Sequence, residues 1–535
     1  MTTQIQLYDT TLRDGAQMEG ISLSVEDKLK IVRKLDELGV HYIEGGWPGS
    51  NPKDVEFFER AKSLQLQHAQ IAAFGSTRRA GGSAKDDANL RALLDAGTPV
   101  VTIVGKANDV HVRDVLETTT EENLAMIADS VRFLKAAGRT VFFDAEHYFD
   151  GYFSDRDYAL QCLKAAASAG VDGVVLCDTN GGTITPQLVM AVRAAREATP
   201  VILGIHTHND ANLAVANSLA ALEEGATQVQ GCVNGYGDKC GNADLVSVIA
   251  NLKLKMGIDV VTDEQLARLT EISHYINEVV NFVPNPYQPY VGASAFAHKA
   301  GLHADGMVKL ESSYQHVPPE VVGNRQRMLI SELAGSRGLL EKIREAGIDV
   351  EMDRDGARQV LEKVKEHESE GYQYESAEAS FEMLVRRTLT GYQSPFELID
   401  FWVVQRRAIR QDDHSREMQT EAMVKVRVGE EVIQTAADGN GPVNALDAAV
   451  RKALVTFYPR LAAIKLVDYK VRIIDTAAGT GAAVRVLIES TDGDELWRTV
   501  GASTDIIEAS WLALNDALEY WLLKHGVEQA GEIRT

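Results

Sequence analysis

Two rhythms alternate along the first half of the chain. Short apolar runs of strand character stand at 5–8, 42–44, 70–74, 100–104, 140–144, 173–177, 201–205 and 228–230. Between them apolar residues recur every three to four positions, the helical spacing. Ser24-Val-Glu-Asp27 reads as a capping box with Asp in place of the usual Glu, and it opens an amphipathic run to Leu38. Gly39 stops that helix. Further helices are expected at 54–64, 84–95, 120–137, 155–169, 186–197, 211–224 and 243–255. Eight strand–helix units in about 255 residues predict an α/β fold, a (β/α)8 TIM barrel. A doubly wound open sheet is the competitor, but the turn after the first strand, Arg13-Asp-Gly-Ala-Gln17, is not a phosphate fingerprint.

The rhythm changes near Asn281. The stretch 281–290 is rich in Pro and aromatics and reads as a linker with fixed turns. Helices are expected at 335–346, 356–367 and 377–389, which makes the middle of the chain mostly helical. From about Phe396 a third pattern begins. Strands at 396–405 and 421–428 lead to a helix at 445–457; strands at 467–475, 482–490 and 497–503 then lead to a helix at 506–524. That is a C-terminal α+β module of two similar βββα halves. The expected division is 1–275 for the barrel, 276–390 for linker subdomains and 391–535 for the module.

The chain has 535 residues and a formal net charge of −23, which disfavours nucleic acid and anionic membrane as partners. An anionic substrate must therefore meet local positive charge, from a metal or an arginine. The four cysteines, Cys162, Cys177, Cys232 and Cys240, form no CxxC pair and read as buried reduced thiols of a cytoplasmic protein. Neither a signal peptide nor a membrane span is expected.

Barrel enzymes build their sites at the C-terminal ends of the strands. Arg13 and Asp14 follow strand one, and Glu44 ends strand two. Asp144 and Glu146 stand at strand five, Asp178 and Thr179 at strand six, and His206 and His208 at strand seven. The stretch 235–242 follows strand eight. Any one of these could be a capped helix or a satisfied loop residue, but one rim collects them all. Residues at i and i+2 of a strand share a face, so His206 and His208 can grip one metal. Asp14 and Asn242 would complete a mixed nitrogen and oxygen site, which suits Mg²⁺, Mn²⁺ or a catalytic Zn²⁺ and argues against a structural zinc. Arg13 offers a planar cation for a carboxylate or a developing oxyanion. A second cluster, Ala297-His298-Lys-Ala-Gly-Leu-His303-Ala-Asp305-Gly with Tyr314 following, looks like a functional loop.

These motifs resemble the signatures of the acyl-CoA-condensing α-isopropylmalate synthase/homocitrate synthase/citramalate synthase family, of the DRE-TIM metallolyase type. The residues that carry it are Thr10-Thr-Leu-Arg-Asp-Gly-Ala-Gln17, His206-Thr-His208, Asn234-Gly-Tyr-Gly-Asp-Lys-Cys-Gly-Asn242 and His303-Ala-Asp-Gly306. The resemblance extends over essentially the whole chain. Within the family, Glu44-Gly-Gly-Trp-Pro-Gly-Ser-Asn-Pro-Lys-Asp54 and Gly371-Tyr-Gln-Tyr-Glu-Ser-Ala-Glu-Ala-Ser-Phe381 are similar to citramalate synthases. The resemblance implies Asp14, His206, His208 and Asn242 as metal ligands and Arg13 as the group that stabilises charge on a keto oxygen. It implies Gln17, Glu146 and Thr179 in the substrate site, and His303 with Tyr314 as a pair from the linker subdomain. Asp144 stands where some citramalate synthases carry a pocket aromatic.

The implied reaction is a metal-dependent Claisen condensation of acetyl-CoA with pyruvate, followed by thioester hydrolysis. The base is Glu146 or His303 with Tyr314. Phe74, at the end of strand three, is the candidate for bulk that excludes larger 2-oxo acids; an ordinary core aromatic is the equal alternative. By resemblance the C-terminal module is a regulatory domain that binds isoleucine and pairs with a second copy. The rivals are a 2-isopropylmalate synthase with a homocitrate-type synthase behind it, a metal-dependent lyase, and a non-catalytic amino-acid sensor on a dead barrel.

Overall fold

The computed structural model describes residues 5–298, 306, 310–328, 339, 343 and 354–525, except 375–376, 390, 410–415, 475–478 and 480. They fall into two compact units: Met1–Phe296 with Gln315–Gln326, and Ala297–Tyr314 with Arg327–Thr535.

In the first unit eight parallel strands close into a barrel in chain order. They are β1 (Gln6–Asp9), β2 (Tyr42–Gly46), β3 (Gln70–Ser76), β4 (Val100–Lys106), β5 (Thr140–Glu146), β6 (Gly173–Asp178), β7 (Ile202–Thr207) and β8 (Gln228–Gly231). Closure is direct, since Tyr8 of β1 sits opposite Tyr42 of β2 and opposite Gln230 of β8. Every strand runs one or two residues beyond the end of its apolar run. Glu146, Asp178 and His206, expected just past their strands, belong to them. The backbone ladder continues there while the side chains turn polar, so hydropathy stops before the hydrogen bonds do.

The inner layer of the barrel holds Tyr8, Ala72, Val100 and Phe142, with Tyr8 and Phe142 edge to face at 6.2 Å. A larger apolar shell fills the space between strands and helices, with Leu7, Ile43, Val101, Phe143 and Leu203 fully buried. The capping box forms as read. Ser24 Oγ accepts from Asp27 N, and Asp27 Oδ2 accepts from Ser24 N, each at 3.1 Å. The helix Val25–Leu38 ends at Gly39 with φ 89°, and a Cβ there would lie 2.7 Å from the Gln265 carboxamide. Two short helices after β4 and β5, Asp109–Asp114 and Tyr148–Ser154, are too brief for periodicity to reveal.

In the second unit, helices Arg354–Glu370 and Glu378–Thr388 precede the module. Strands Glu397–Ile409, Arg416–Val428 and Glu431–Gly439 form one antiparallel sheet, followed by the helix Pro442–Leu454. Strands Lys465–Ile473, Val484–Thr491 and Leu496–Ser503 form the other, followed by Ile506–His525. The two βββα halves are therefore present, with Glu431–Gly439 a strand that the apolar runs did not single out. Of the helix expected at 335–346, only Leu339 and Ile343 lie among the described residues.

One reading needs correction. Cys162, Cys177 and Cys232 are buried, but Cys240 is exposed. It stands in the polar loop before Asn242, where no apolar layer covers it. No helix among the described residues is long and apolar enough to cross a membrane.

Candidate active site and metal centre

The turn after β1 is pinned to the far end of the barrel chain. Thr10 N donates to Gly231 O at 2.8 Å, and Val233 N donates to Thr11 Oγ1 at 2.9 Å. Thr11 in turn donates to Asp9 through both its amide and its hydroxyl. Burial pushes the Asp9 carboxyl up to about 7. Gly15 passes so close to β8's loop that a Cβ would lie 3.3 Å from Cys232 Sγ and from Tyr236. Arg13 and Asp14 are held on this anchored turn.

Asp14, His206 and His208 converge. Their ligand atoms all lie within 4.8 Å of one another, and all three residues are buried. Asp14 Oδ2 is 3.1 Å from His206 Nε2 and 3.7 Å from His208 Nε2, and the two ring nitrogens are 3.3 Å apart. Asn242 reaches the same point across a bridge to His208, with Nδ2 2.6 Å from Asp14 Oδ2. Its Oδ1 is buried without a hydrogen-bond partner. Which end of a carboxamide is oxygen is an assignment from the network. As placed, Nδ2 faces Asp14 and His206, and Oδ1 faces Gly237, where a Cβ would lie 2.2 Å from it. Turning the carboxamide over brings the unpaired oxygen to the cluster, where a cation would take it as a ligand. One carboxylate, two imidazoles and an unpaired carboxamide oxygen therefore fit a divalent metal.

Burial alone would raise the Asp14 carboxyl. The Arg13 charge and a His206 hydrogen bond more than offset it and hold the group well below the usual carboxylate range. Burial also works against charge on His206, yet Asp14 raises it. His208 is pushed down to about 4, by burial first and by its neighbour His206 next.

Beside this cluster Arg13 is held on three sides. Its Nε donates to Glu44 Oε2 at 2.5 Å and its NH1 to Asp14 Oδ1 at 2.9 Å. Its guanidinium carbon lies 3.9 Å from the centre of the Phe74 ring. NH2 has no protein partner among the described residues and remains available to a ligand. Glu44 is fully buried and also accepts from Tyr8 OH at 3.1 Å. Trp47 meets Phe74 edge-on at 5.4 Å and donates from Nε1 to Asn89 Oδ1 at 2.7 Å.

Of the remaining expected residues, some lie on the same rim and some do not. Glu146 ends β5 and pairs with Lys106, its register partner on β4. Thr179 Oγ1 accepts from His147 N at 2.9 Å, which leaves its hydroxyl hydrogen free to donate. Asp144 is buried inside the barrel, where burial and the Glu44 charge push it up to about 7. Asp178, also expected to be reactive, shapes its loop instead, accepting from Thr183 Oγ1 at 2.7 Å. Gln17 is exposed and stands apart from the network. Tyr314 is exposed in the second unit, and His303 and Asp305 lie outside the described residues. His298 sits in a two-residue strand paired with Arg327–Met328.

Sequence reasoning did not give Gln230, Lys106 or Trp47 a part, and it left Glu44 without a partner. Gln230 carried a usable signal. Gln228 and Gln230 occupy alternate positions of a core strand, where apolar side chains are the rule.

The amino-acid sequence matches three family models: HMGL-like over residues 4–276, homocitrate synthase post-HMGL domain-like over 290–371, and LeuA allosteric (dimerisation) domain over 375–522. The chain is 51% identical over 520 residues to an (R)-citramalate synthase of Geobacter sulfurreducens, covering 97% of this chain and 98% of the relative. The chain belongs to the HMGL-like family, in its citramalate synthase group. An (R)-citramalate synthase of Aquifex aeolicus is 49% identical, covering 98% of this chain and 99% of the relative. A probable 2-isopropylmalate synthase of Methanopyrus kandleri is 32% identical, covering 95% and 97%. As a member of this family the chain is an enzyme, a transferase built on a TIM barrel.

Proposed function

We infer that this chain condenses acetyl-CoA with pyruvate and hydrolyses the thioester, releasing (R)-citramalate and CoA. The observation that carries the reading is near-full-length identity of 44–51% to five citramalate synthases, against 30–32% to the 2-isopropylmalate synthases. The Arg13–Asp14–His206–His208 cluster supports it chemically.

Asp14, His206, His208 and Asn242 would hold a divalent metal, Mn²⁺, Mg²⁺ or Zn²⁺. Such an ion supplies Lewis acidity toward the carbonyl oxygen of a 2-oxo acid. Arg13, fixed by Glu44, Asp14 and Phe74, directs its free NH2 donors at the oxygen where negative charge develops. Because it is already oriented, no reorganisation is needed when charge appears. Thr179 donates its hydroxyl hydrogen to the substrate carboxylate. Glu146 receives the proton of the acetyl methyl group, with Lys106 holding its carboxylate in place. The enolate attacks the keto carbon, and the C=O π pair becomes an alkoxide beside Arg13 that takes up a proton, by way of Glu146 or solvent. Water then adds its oxygen to the acyl carbon, the C–S bond breaks, and CoA leaves as the thiol with a proton from that water.

The wider reading assigns 1–275 to catalysis, 276–390 to linker subdomains and 391–535 to a regulatory module that takes isoleucine and pairs with a second copy. The product would open a threonine-independent route to isoleucine in the cytoplasm. The deciding experiment is thiol release from acetyl-CoA in Mn²⁺ or Mg²⁺ with pyruvate, 2-oxobutyrate, 2-oxoisovalerate or 2-oxoglutarate. Pyruvate is expected to dominate. Preference for 2-oxoisovalerate would make the chain a 2-isopropylmalate synthase, and no release with any acid would revive the lyase and sensor readings.

A further inference from the structure

A histidine can offer a metal only the nitrogen that carries no proton, and His206 has two. We propose that Gln230 decides between them, and that Asp144 decides which way Gln230 faces. The proposal rests on the reading of Asp14, His206 and His208 as metal ligands.

His206 of β7 and Gln230 of β8 are register partners in adjacent strands. Gln230 Oε1 lies 2.9 Å from His206 Nδ1. Both residues are buried, so each polar atom needs a partner from the protein. A carboxamide alone is ambiguous, since turning it over exchanges donor for acceptor. Asp144 in its ionised form can only accept, and it removes the ambiguity. It stands on β5, and its Oδ1 accepts from Gln230 Nε2 at 3.3 Å. With the amide end committed to Asp144, the oxygen end faces His206, and Nδ1 keeps its hydrogen. Nε2 is then the nitrogen that gives up its proton to Asp14 or solvent and turns bare when a cation arrives.

This Nε2 lies 3.1 Å from Asp14 Oδ2 and 3.3 Å from His208 Nε2. Once it is bare, lone pairs brought this close call for a cation between them. Gln230 is thus a positioning residue that acts through His206, of the kind that fixes ring orientation and tautomer in metal sites. This also gives Asp144 a task of its own: it holds the carboxamide from across the barrel.

The test uses the full-length chain, stripped with chelator and titrated with Mn²⁺ by calorimetry and with Co²⁺ by its visible absorption. Gln230→Leu keeps the bulk and removes the acceptor; it is expected to weaken binding about 10- to 100-fold with the circular dichroism unchanged. Gln230→Glu accepts through either oxygen and is expected to restore near-wild-type affinity. Asp144→Ala frees the carboxamide to turn and is expected to give a smaller loss. Wild-type affinity in Gln230→Leu, or a Gln230→Glu variant as weak as Gln230→Leu, overturns the proposal. The ¹⁵N shifts of His206 in the wild-type chain loaded with diamagnetic Zn²⁺ show which nitrogen keeps its proton, and a protonated Nε2 with bare Nδ1 overturns it as well. A wild-type chain that binds neither ion would instead overturn the metal reading itself, and this inference with it.

Discussion

The guanidinium of Arg13 lies over the face of Phe74, its carbon 3.9 Å from the ring centre, and Trp47 braces that ring edge-on. Phe74 therefore offers two separable properties, a π face for the cation and bulk for the pocket wall. Phe74→Leu keeps much of the bulk and loses the face. A desolvated cation–π contact is worth about 2 kcal/mol, so kcat/KM should fall by up to about thirtyfold for every 2-oxo acid alike. Phe74→Ala removes both, and the ratio of 2-oxobutyrate and 2-oxoisovalerate to pyruvate should rise. An unchanged ratio in Phe74→Ala would take Phe74 out of selectivity.

Removing one member of the convergent cluster should abolish turnover without unfolding the barrel. Asp14→Asn keeps the shape and deletes the charge, and His206→Ala deletes a nitrogen ligand. Ligands that bind only the folded state raise its stability, by about 2.7 kcal/mol at a hundred times Kd. Mn²⁺ should accordingly raise the melting temperature of the wild-type chain and leave that of either variant unmoved. A variant that keeps a near-normal rate does not carry a metal ligand at that position.

The second unit holds a buried ionic cluster with a predictable pH response. Asp516 accepts from Ser380 Oγ at 2.5 Å and pairs with Arg387 at 2.7 Å. Arg387 and Tyr392 also bind Glu519. Burial pushes Asp516 up to about 6, although Arg387 pulls it down. A carboxyl whose folded value is raised contributes stability that is full below its unfolded value near 4 and is lost as pH rises through about 6. Four of the five tryptophans, Trp402, Trp497, Trp511 and Trp521, lie in this module, so fluorescence follows its unfolding. Between pH 5 and 7.5 the wild-type midpoint should fall more than that of Asp516→Asn. Parallel curves would contradict the assignment.

The module should also carry effector control. The helix Glu378–Thr388 belongs with it physically: Ser380 receives Val500 N at 2.9 Å, and Phe381, Leu384 and Val385 pack with Val500. A deletion that begins at 391 strips this helix of its cover, whereas one that begins at 375 removes both together and leaves Ala357, Val360 and Val364 of the helix before it uncovered. The chain cut at 374 should keep thiol release and lose its response to isoleucine. Inhibition that survives the cut would place the effector elsewhere.

Much of the barrel was legible because its strands alternate with amphipathic helices at regular intervals. His206 and His208 could be paired from their i, i+2 spacing within one strand. The partners that complete the site were not legible in the same way. Glu44 meets Arg13 across 31 residues, and Gln230 meets Asp144 across 86. Such contacts depend on strand register around a closed barrel, which no local pattern records. Trp47 stood in a motif that resembled citramalate synthases, but its contact with Phe74 appears only once β2 and β3 lie side by side.

Asp14 and Asn242 touch across 228 residues of chain, and β1 finds its second neighbour only in β8. At a synthesis rate of about 5–20 residues per second, roughly 10–50 s separate the emergence of these two side chains from the ribosome. A nascent chain halted before β8 has Asp14 beside Arg13 but no carboxamide to complete the centre. On the metal reading proposed above, uptake of an ion would serve as a clock for barrel closure, and a time-resolved Co²⁺ spectrum of the refolding chain would read the moment at which the ring is joined.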